Sequence, residues 1–592
     1  MPGDAREGEL QSAAPGDIPE KIEARRGFSV SYKGKNLLST IDPIGQAERT
    51  VETLPLLERT LYLCPSPLFG YGLELLLSKL EGVSDSALLC VEADKGLFEF
   101  SLTALNPAIK SNPRFKYTNI GEGGMLCAFV RDCWGPRRFR RIQPIRLTGG
   151  WRLTPEIYDS LEESLRREIA LDWGNALTLT KLGRRYIRNA LRNLALIPRF
   201  PSAAELNYGF DPVLVLGAGP SLDDLLDNLA RRFPEKLRQP ESRPFRIICV
   251  DTCLPCLHER GVVPDLAVIL ESQHWNLRDF IGARNRKVSA AMDLSALPAT
   301  GRILTGGLFL FTTPWTSLRL FGRLKEAVLL PTALAPLGSV GLSAAELACR
   351  LSRGNIITGG IDFSFTLDAY HARSSPGHLD RLRRHNRFHS LLNADAAFAA
   401  ASFSAPSKSG LPVRSSPAMR NYRNLFEQEF AVNPRLFDIN STGLPLGIKT
   451  AGMEEALDML ETGPARRPEA ADMEPRDNQP PEDAARPSAP ELAAFIGREE
   501  DRLSLLRAIL TGGTAGAEKL ETLLDECDYL WAHFPDCAGA GGRRPPASDT
   551  GFLKRVRAEI DPFLKLWRLT SGEICSAEST TPPLALNLTH RF

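Results

Sequence analysis

No stretch of this sequence stays apolar long enough to span a bilayer. Its opening, MPGDAREGELQSAAPGD, has no apolar core of the kind a signal peptide needs, so a cytoplasmic place is expected. The eleven cysteines are scattered. Cys253 and Cys256 form a C-x-x-C, but Pro255 lies between them and no second pair follows. They read as small buried residues, and the compartment as reducing. Excess charge of either sign is missing too. Lys and Arg number 72 against 71 Asp and Glu, a formal net charge of +1, which argues against broad nucleic-acid binding. The chain has no G-x-S-x-G elbow, no Walker lysine motif and no H-E-x-x-H.

The stretch VLVLGAGPSLDDLL, residues 213–226, organises what is present. Four apolar residues predict a short buried strand. Gly217 and Gly219 lie in a tight turn, and Pro220 and Ser221 open a helix through Leu222, Leu225 and Leu226. Strand, glycine turn and helix N-terminus suit an anionic ligand, because amide N–H groups and the helix dipole face it. Ser221 is placed to cap the helix or to touch that ligand. An ordinary βα turn that binds nothing has the same pattern.

At 592 residues the chain is expected to hold two or three domains. Residues 1–26 read as disordered and 27–201 as an N-terminal Rossmann-like domain with a helical end. In that domain a strand at 61–64, a turn with Gly70 and Gly72, a helix and a strand at 87–91 lead to Glu92 and Asp94. Pro65, Ser66 and Pro67 stand where a dinucleotide fingerprint wants glycines, so a scaffold without a cofactor is expected. Residues 155–196 read as helical. Arg184, Arg185, Arg188 and Arg192 there form a solvated face or an anion-attracting one. Residues 207–462 alternate strands and helices, the pattern of a mostly parallel α/β sheet. RILTGG is among the predicted strands. Residues 463–490 read as a Pro/Ala/charged linker and 491–592 as a helical C-terminal domain.

In parallel sheets ligands bind off the carboxyl ends of the strands. Asp251 and Thr252, Glu271 to His274, Asp293 and Asp362 are all predicted at that edge, together with the Gly217 turn and a second glycine turn from Gly338. Such acids can hold a divalent cation, bond sugar hydroxyls or cap the next helix. Among the histidines 371, 378, 385 and 389, the pair His385 and His389 reads as surface residues without a third metal ligand. Tyr370 and His371 follow an active-edge strand by a short loop. A histidine there can deprotonate a hydroxyl, or merely bond a backbone carbonyl.

Taken together, GAGPSL, VDTCLPCLHERGVVPDLAVILESQ, LGSVGLSAAELACRLSRGNIITGGIDFSF and the following YHAR resemble the central domain of motility accessory factor (Maf) flagellin glycosyltransferases. That domain class also includes the 6-hydroxymethylpterin diphosphokinase. NLLSTIDPIGQAERTVE with LYLCPSPLFGYGLELLL is similar to the Maf N-terminal domain, and YRNLFEQEFAVNPRLFDINSTGLPLGI to the end of the central one. The resemblance spans about residues 30–460. It implies an α/β, Rossmann-like and sialyltransferase-like central domain. The implied reaction moves a pseudaminic- or legionaminic-type nonulosonic acid from a CMP-activated donor to Ser or Thr of flagellin. Gly217, Gly219, Pro220 and Ser221 would hold the nucleotide phosphate. Asp251, Thr252, Glu271 and Gln273 would line the substrate site, and Gly338, Ser339 and Gly341 would contact the donor. Asp362 and Tyr370 would sit near donor and acceptor, with His371 as base and Asp362 as its catalytic companion. No metal ligand set is implied; Mg2+ is the one cofactor considered. In ESQHWN, Glu271 stands where much of the family has aspartate. The implied partners are the CMP-sugar and flagellin, with no nucleic acid and no membrane span; an oligomer is compatible. Two other functions fit the pattern: an ATP-dependent diphosphokinase of the pterin type, and a non-catalytic flagellin-binding accessory protein.

Overall fold

A computed structural model describes residues 18–135, 137–283, 286–314, 318–392, 394–462, 487–512, 516–539 and 543–578. The chain divides into two compact units, Met1–Leu182 with Ala532–Pro545, and Gly183–Trp531 with Pro546–Phe592.

The first unit begins with an antiparallel meander of β1 (Glu20–Glu23), β2 (Phe28–Tyr32) and β3 (Lys35–Asn36). Disorder was expected as far as Arg26. Residues 20–23 are instead paired with β2 through a turn at Gly27, whose φ of +95° favours glycine. Residues 1–17 of that segment lie outside the described residues. A parallel sheet follows, formed by β4 (Thr60–Pro65), β5 (Ala87–Val91), β6 (Phe115–Thr118) and β7 (Arg141–Pro144) in the order β6-β5-β4-β7. Strands β4 and β5 are apolar at almost every position because both faces are covered.

The second unit carries a parallel sheet of eight strands. They are β8 (Val213–Leu216), β9 (Arg246–Val250), β10 (Leu266–Ile269), β11 (Ser289–Asp293), β12 (Leu308–Phe311), β13 (Ile356–Gly359) and, after the antiparallel hairpin β14 (Phe403–Pro406) and β15 (Pro412–Ser415), β16 (Leu436–Ile439) and β17 (Lys449–Ala451). The order is β12-β11-β10-β9-β8-β13-β16-β17. Chain direction across the sheet therefore reverses between β8 and β13, and at such a switch point a crevice opens beyond the carboxyl ends. RILTGG is not a strand. Thr300–Arg302 is a 3-10 turn, the strand follows at β12, and Gly306 presses on the Val288 carbonyl where a side chain would collide.

The long helix Pro155–Asn193 is as expected, but the division expected near residue 201 falls at 182/183. The helix end is held by this unit's strand exits. Asn189 Nδ2 donates to the carbonyls of Ser272 (3.0 Å) and Ser295 (3.1 Å), and Asn193 Nδ2 to those of Leu294 (2.8 Å) and Ala296 (2.9 Å). Arg184 is not merely solvated, since its Nε donates to Glu559 at 2.8 Å. The linker expected over 463–490 lies outside the described residues up to 486. Ser488 then caps the helix Ala489–Leu510. The helices Ala489–Leu510, Ala517–Glu526 and Thr550–Glu578 belong to this unit, where Arg323 forks onto Glu499 at 2.9 Å through two nitrogens, while Pro535–Gly539 falls in the first unit. No helix among the described residues is long and apolar enough to cross a membrane.

Candidate functional site

Val213–Leu216 is wholly buried between β9 and β13, and its exit turn is shaped by the exit of β13. Gly217 N–H donates to the Gly359 carbonyl at 2.9 Å and Gly219 N–H to that of Gly360 at 2.8 Å. A Cβ on Gly217 would strike the Gly360 carbonyl, and one on Gly219 would strike the Asp362 carboxylate. Both glycines are thus required by close approach. The buried Asp362 carboxylate accepts from Ser221 N–H at 2.8 Å and from Ser221 Oγ at 2.6 Å. A negative group from the chain itself fills the N-terminus of the helix Leu222–Arg232. The amides of Gly217, Gly219 and Ser221 all have protein acceptors, and Ser221 makes no side-chain cap. Pro220 lies half-buried between them.

The Asp362 loop is strained as well as buried. Phe363 has a φ of +45° and Gly360 one of +71°. Beyond the loop, Lys408 Nζ lies 2.9 and 2.8 Å from the two Asp438 carboxylate oxygens, each side chain 1% exposed, and Thr358 Oγ1 donates to Asp438 at 3.0 Å. Burial pushes Asp438 up to about 6 against the pull of Lys408. A small pocket opens here, lined by Ser221, Gly360, Asn440, Ser441 and Thr442. Lys408 reaches Asp438 from the β14–β15 hairpin, a position no local pattern announces. Asp438 had a signal, an acid inside the apolar run LFDI.

At the exit of β9, Asp251 and Thr252 belong to a cluster whose other members sequence reasoning missed. Asp251 accepts from Thr252 N–H (2.9 Å) and from Asn276 Nδ2 (2.7 Å). Asn276 Nδ2 also donates to Asp279 at 3.0 Å, and Thr252 Oγ1 lies 3.3 Å from the same carboxylate. Burial, then the neighbouring Asp279 charge, pushes Asp251 up to about 7; burial likewise pushes Asp279 up to about 6. The pair therefore holds a proton near neutral pH. Asn276 and Asp279 lie in the 3-10 segment His274–Phe280, which has no strand-edge signature. Glu271 stays outside the pair: it is exposed and accepts from Gln273 N–H at 2.8 Å. Asp293 is fully engaged, accepting from N–H and hydroxyl of both Ser295 and Thr313, and ties β11 to β12.

Gly338, with φ +71°, and Ser339 precede the helix Val340–Leu351, and Gly341 lies buried against Ile361 beside the Asp362 loop. Ala372 N–H donates to the Ala218 carbonyl at 3.0 Å, which sets Tyr370 and His371 over the glycine turn. Phe365 stacks on Tyr370 with centroids 4.8 Å apart, and the Tyr370 and His371 rings are 4.9 Å apart. Burial, helped by the Arg381 charge, pushes His371 down to about 4. Its imidazole is neutral at pH 7 and able to accept a proton. Arg381 Nη2 is buried with no hydrogen-bond partner. It is a cationic group beside the imidazole that the sequence pattern did not flag. His378 Nδ1 accepts from Ser374 N–H at 3.1 Å, and His385 and His389 are exposed. Among the described residues no cluster of three or more His, Cys, Asp or Glu is arranged to hold a metal.

Residues 188–368 match the family described as 6-hydroxymethylpterin diphosphokinase MptE-like. An uncharacterized protein of Treponema pallidum (strain Nichols) is 30% identical over 575 residues, covering 94% of this chain and 96% of that protein. The solved structure of the MAf glycosyltransferase from Magnetospirillum magneticum AMB-1 aligns with a TM-score of 0.51 at 13% identity, over 96% of this chain and 94% of that one. The chain thus belongs to one family with the Treponema protein, shares the fold of the MAf glycosyltransferase and carries an MptE-like domain.

Proposed function

We propose that this chain is a glycosyltransferase that moves a nonulosonic acid of the pseudaminic or legionaminic type from a CMP-activated donor to a Ser or Thr hydroxyl of flagellin. The observation that carries the reading is the neutral His371 held over the β8 turn beside Arg381, whose buried guanidinium nitrogen has no partner. The shared fold with the MAf glycosyltransferase supports it.

In this reading Arg381 receives an anionic group of the donor, its phosphate or the sugar carboxylate. The bond from the anomeric carbon to phosphate oxygen breaks, and CMP leaves with the electron pair. The acceptor oxygen bonds to the oxocarbenium-like carbon while its proton passes to His371. A base held at about 4 is weak. Burial is the larger cause of that depression; an anion against Arg381 relieves the part its charge adds, so donor binding strengthens the base to that extent. Asp362 keeps the turn closed under His371 rather than meeting the phosphate. The Asp251–Asp279 pair, carrying a proton near pH 7, both donates and accepts, which suits a nucleotide base edge. Asn276 already takes the position between the two carboxylates, so the pair as it stands is not a cradle for Mg2+, and no step runs through a cation.

Calorimetric titration with CMP, CTP and ATP tests this. CMP and CTP are expected to bind, and Arg381→Ala to weaken them about tenfold or more, the equivalent of a lost charge-assisted contact. Tight ATP binding without cytidine preference would sink the proposal and favour the diphosphokinase reading that the MptE-like match raises.

A further inference from the structure

Beyond His371 the chain builds a surface that the bond-making chemistry does not use. The helix Pro376–Arg384 starts against the imidazole, where a Cβ on Gly377 would lie 3.4 Å from His371 Nδ1. Its nine residues carry the chain about 13 Å outward. A tight turn follows, closed by the Asn386–His389 bridge and by Asn386 Oδ1, which accepts from Phe388 N–H at 2.9 Å. Every residue from 382 to 392 is exposed. Among them are Leu382, Leu391, Leu392 and Phe388, the last 79% exposed; Phe398 beyond is 77% exposed. So many large apolar side chains exposed in one short stretch mark an interaction surface.

The charge of this stretch is as one-sided as its apolarity. In a chain of net charge +1, residues 373–389 carry, besides Arg381 at the donor site, four arginines (Arg373, Arg383, Arg384 and Arg387) against the single Asp380. Asp380 is already engaged by Arg278 at 3.0 Å and Arg384 at 3.7 Å. Arg383, Arg384 and Arg387 are all exposed, and the Arg387 guanidinium lies 4.8 Å from the Phe388 ring centre.

We infer that this surface docks an acidic polypeptide segment with an apolar face, the part of the acceptor protein that flanks the hydroxyl to be modified. The inference rests on the transferase reading above. Basic residues around an apolar centre call for acidic groups around an apolar face. A polypeptide is favoured over a lipid surface because the helix runs straight from His371. A chain lying along it from Phe388 brings a Ser or Thr hydroxyl to the imidazole within about four extended residues.

The probe is a fluorescein-labelled helical peptide with Glu on one face and Leu on the other, alongside its Lys counterpart, read by anisotropy with the full-length protein. The Glu peptide is expected to bind with an affinity that falls as salt rises, and the Lys peptide not to bind. Phe388→Ser, and separately the pair Arg383→Glu with Arg384→Glu, are each expected to weaken it about tenfold, with thermal melts unchanged. Absent binding, or binding indifferent to these substitutions, overturns the proposal. Sedimentation with phosphatidylserine vesicles that Phe388→Ser abolishes, without peptide binding, assigns the surface to a membrane and also overturns it. A concentration-dependent dimer lost in Phe388→Ser assigns the surface to a second copy and overturns the proposal as well. CMP titration of the same variants separates the two readings. Intact CMP binding without peptide binding fails the docking surface alone; peptide binding without CMP binding fails the transferase alone.

Discussion

Asp94, past the end of β5, and Asp251, past the end of β9, hold equivalent places in two parallel sheets and have opposite surroundings. Asp94 accepts from Lys33 Nζ at 2.8 Å and from Tyr32 at 3.0 Å, and it caps the helix Lys95–Ala104 through Leu97 N–H at 3.1 Å. Burial works against its charge, but Lys33, Leu97 and Tyr32 together hold it below the usual carboxylate range. Asp251 is buried beside a second carboxylate, with no cation at ion-pair distance among the described residues, and is pushed up to about 7. A carboxylate with matched partners is a fastening. A buried pair of like groups costs folding energy and is kept where a proton is useful. The same strand-end position is thus an ion-paired helix cap in one sheet and a buried carboxylate pair with raised values in the other.

The largest test of this contrast lies at Lys408 and Asp438, a buried pair in which the carboxylate, like Asp94, has a lysine partner but is pushed up to about 6 by burial. Lys408→Met alone leaves an uncompensated buried carboxylate and is expected to cost about 3–5 kcal/mol in urea unfolding. Lys408→Met with Asp438→Leu is expected to recover most of that loss. If the single substitution proved as mild as the double, the pair would not be a fastening.

Next in size is the pH dependence of stability, where the two aspartates should differ in sign. Asp251 binds its proton more tightly folded, at about 7, than at its ordinary 3.8. Its contribution is fully present below 3.8 and is lost as pH rises through 7. Asp251→Asn should therefore flatten the decline in stability between pH 4 and 7. Asp94 is depressed when folded. Its contribution is present above 3.8 and lost as pH falls, so Asp94→Asn should flatten the acid limb instead. Urea midpoints across pH 3–8 read both, and equal signs would erase the contrast.

The smallest effect is expected at His371. Its folded value near 4 lies below the ordinary 6.5, so its contribution is present above 6.5 and lost as pH falls toward 4. His371→Ala should abolish that loss. NMR titration of the His371 imidazole should show its pKa rise when CMP is added; an unmoved value would separate Arg381 from the donor.

Much of the second sheet was legible locally. Apolar runs of four or five residues announce β8, β9 and β10, and the glycine turn after β8 announces a close approach. The approach is real, but what approaches is the carbonyl of Gly360 and the carboxylate of Asp362. RILTGG misled because a short apolar run is read the same way whether or not it lies in the sheet; pairing with β11 selected Leu308–Phe311. Asn276, Asp279, Arg381 and Lys408 left little trace. They sit on 3-10, helical and hairpin segments where a polar residue is ordinary.

The sequence by itself determined the alternation of strands and helices, the acids at strand ends and the turn at Gly217 to Ser221, because each depends on neighbours a few residues away. Only the tertiary structure decided which acids work together. Asp362 meets Ser221 across 141 residues, and Asp251 meets Asn276, which also bonds Asp279, across 25. Parallel strands bring such residues to one edge through crossovers of any length, and no periodicity records which side chains will meet there.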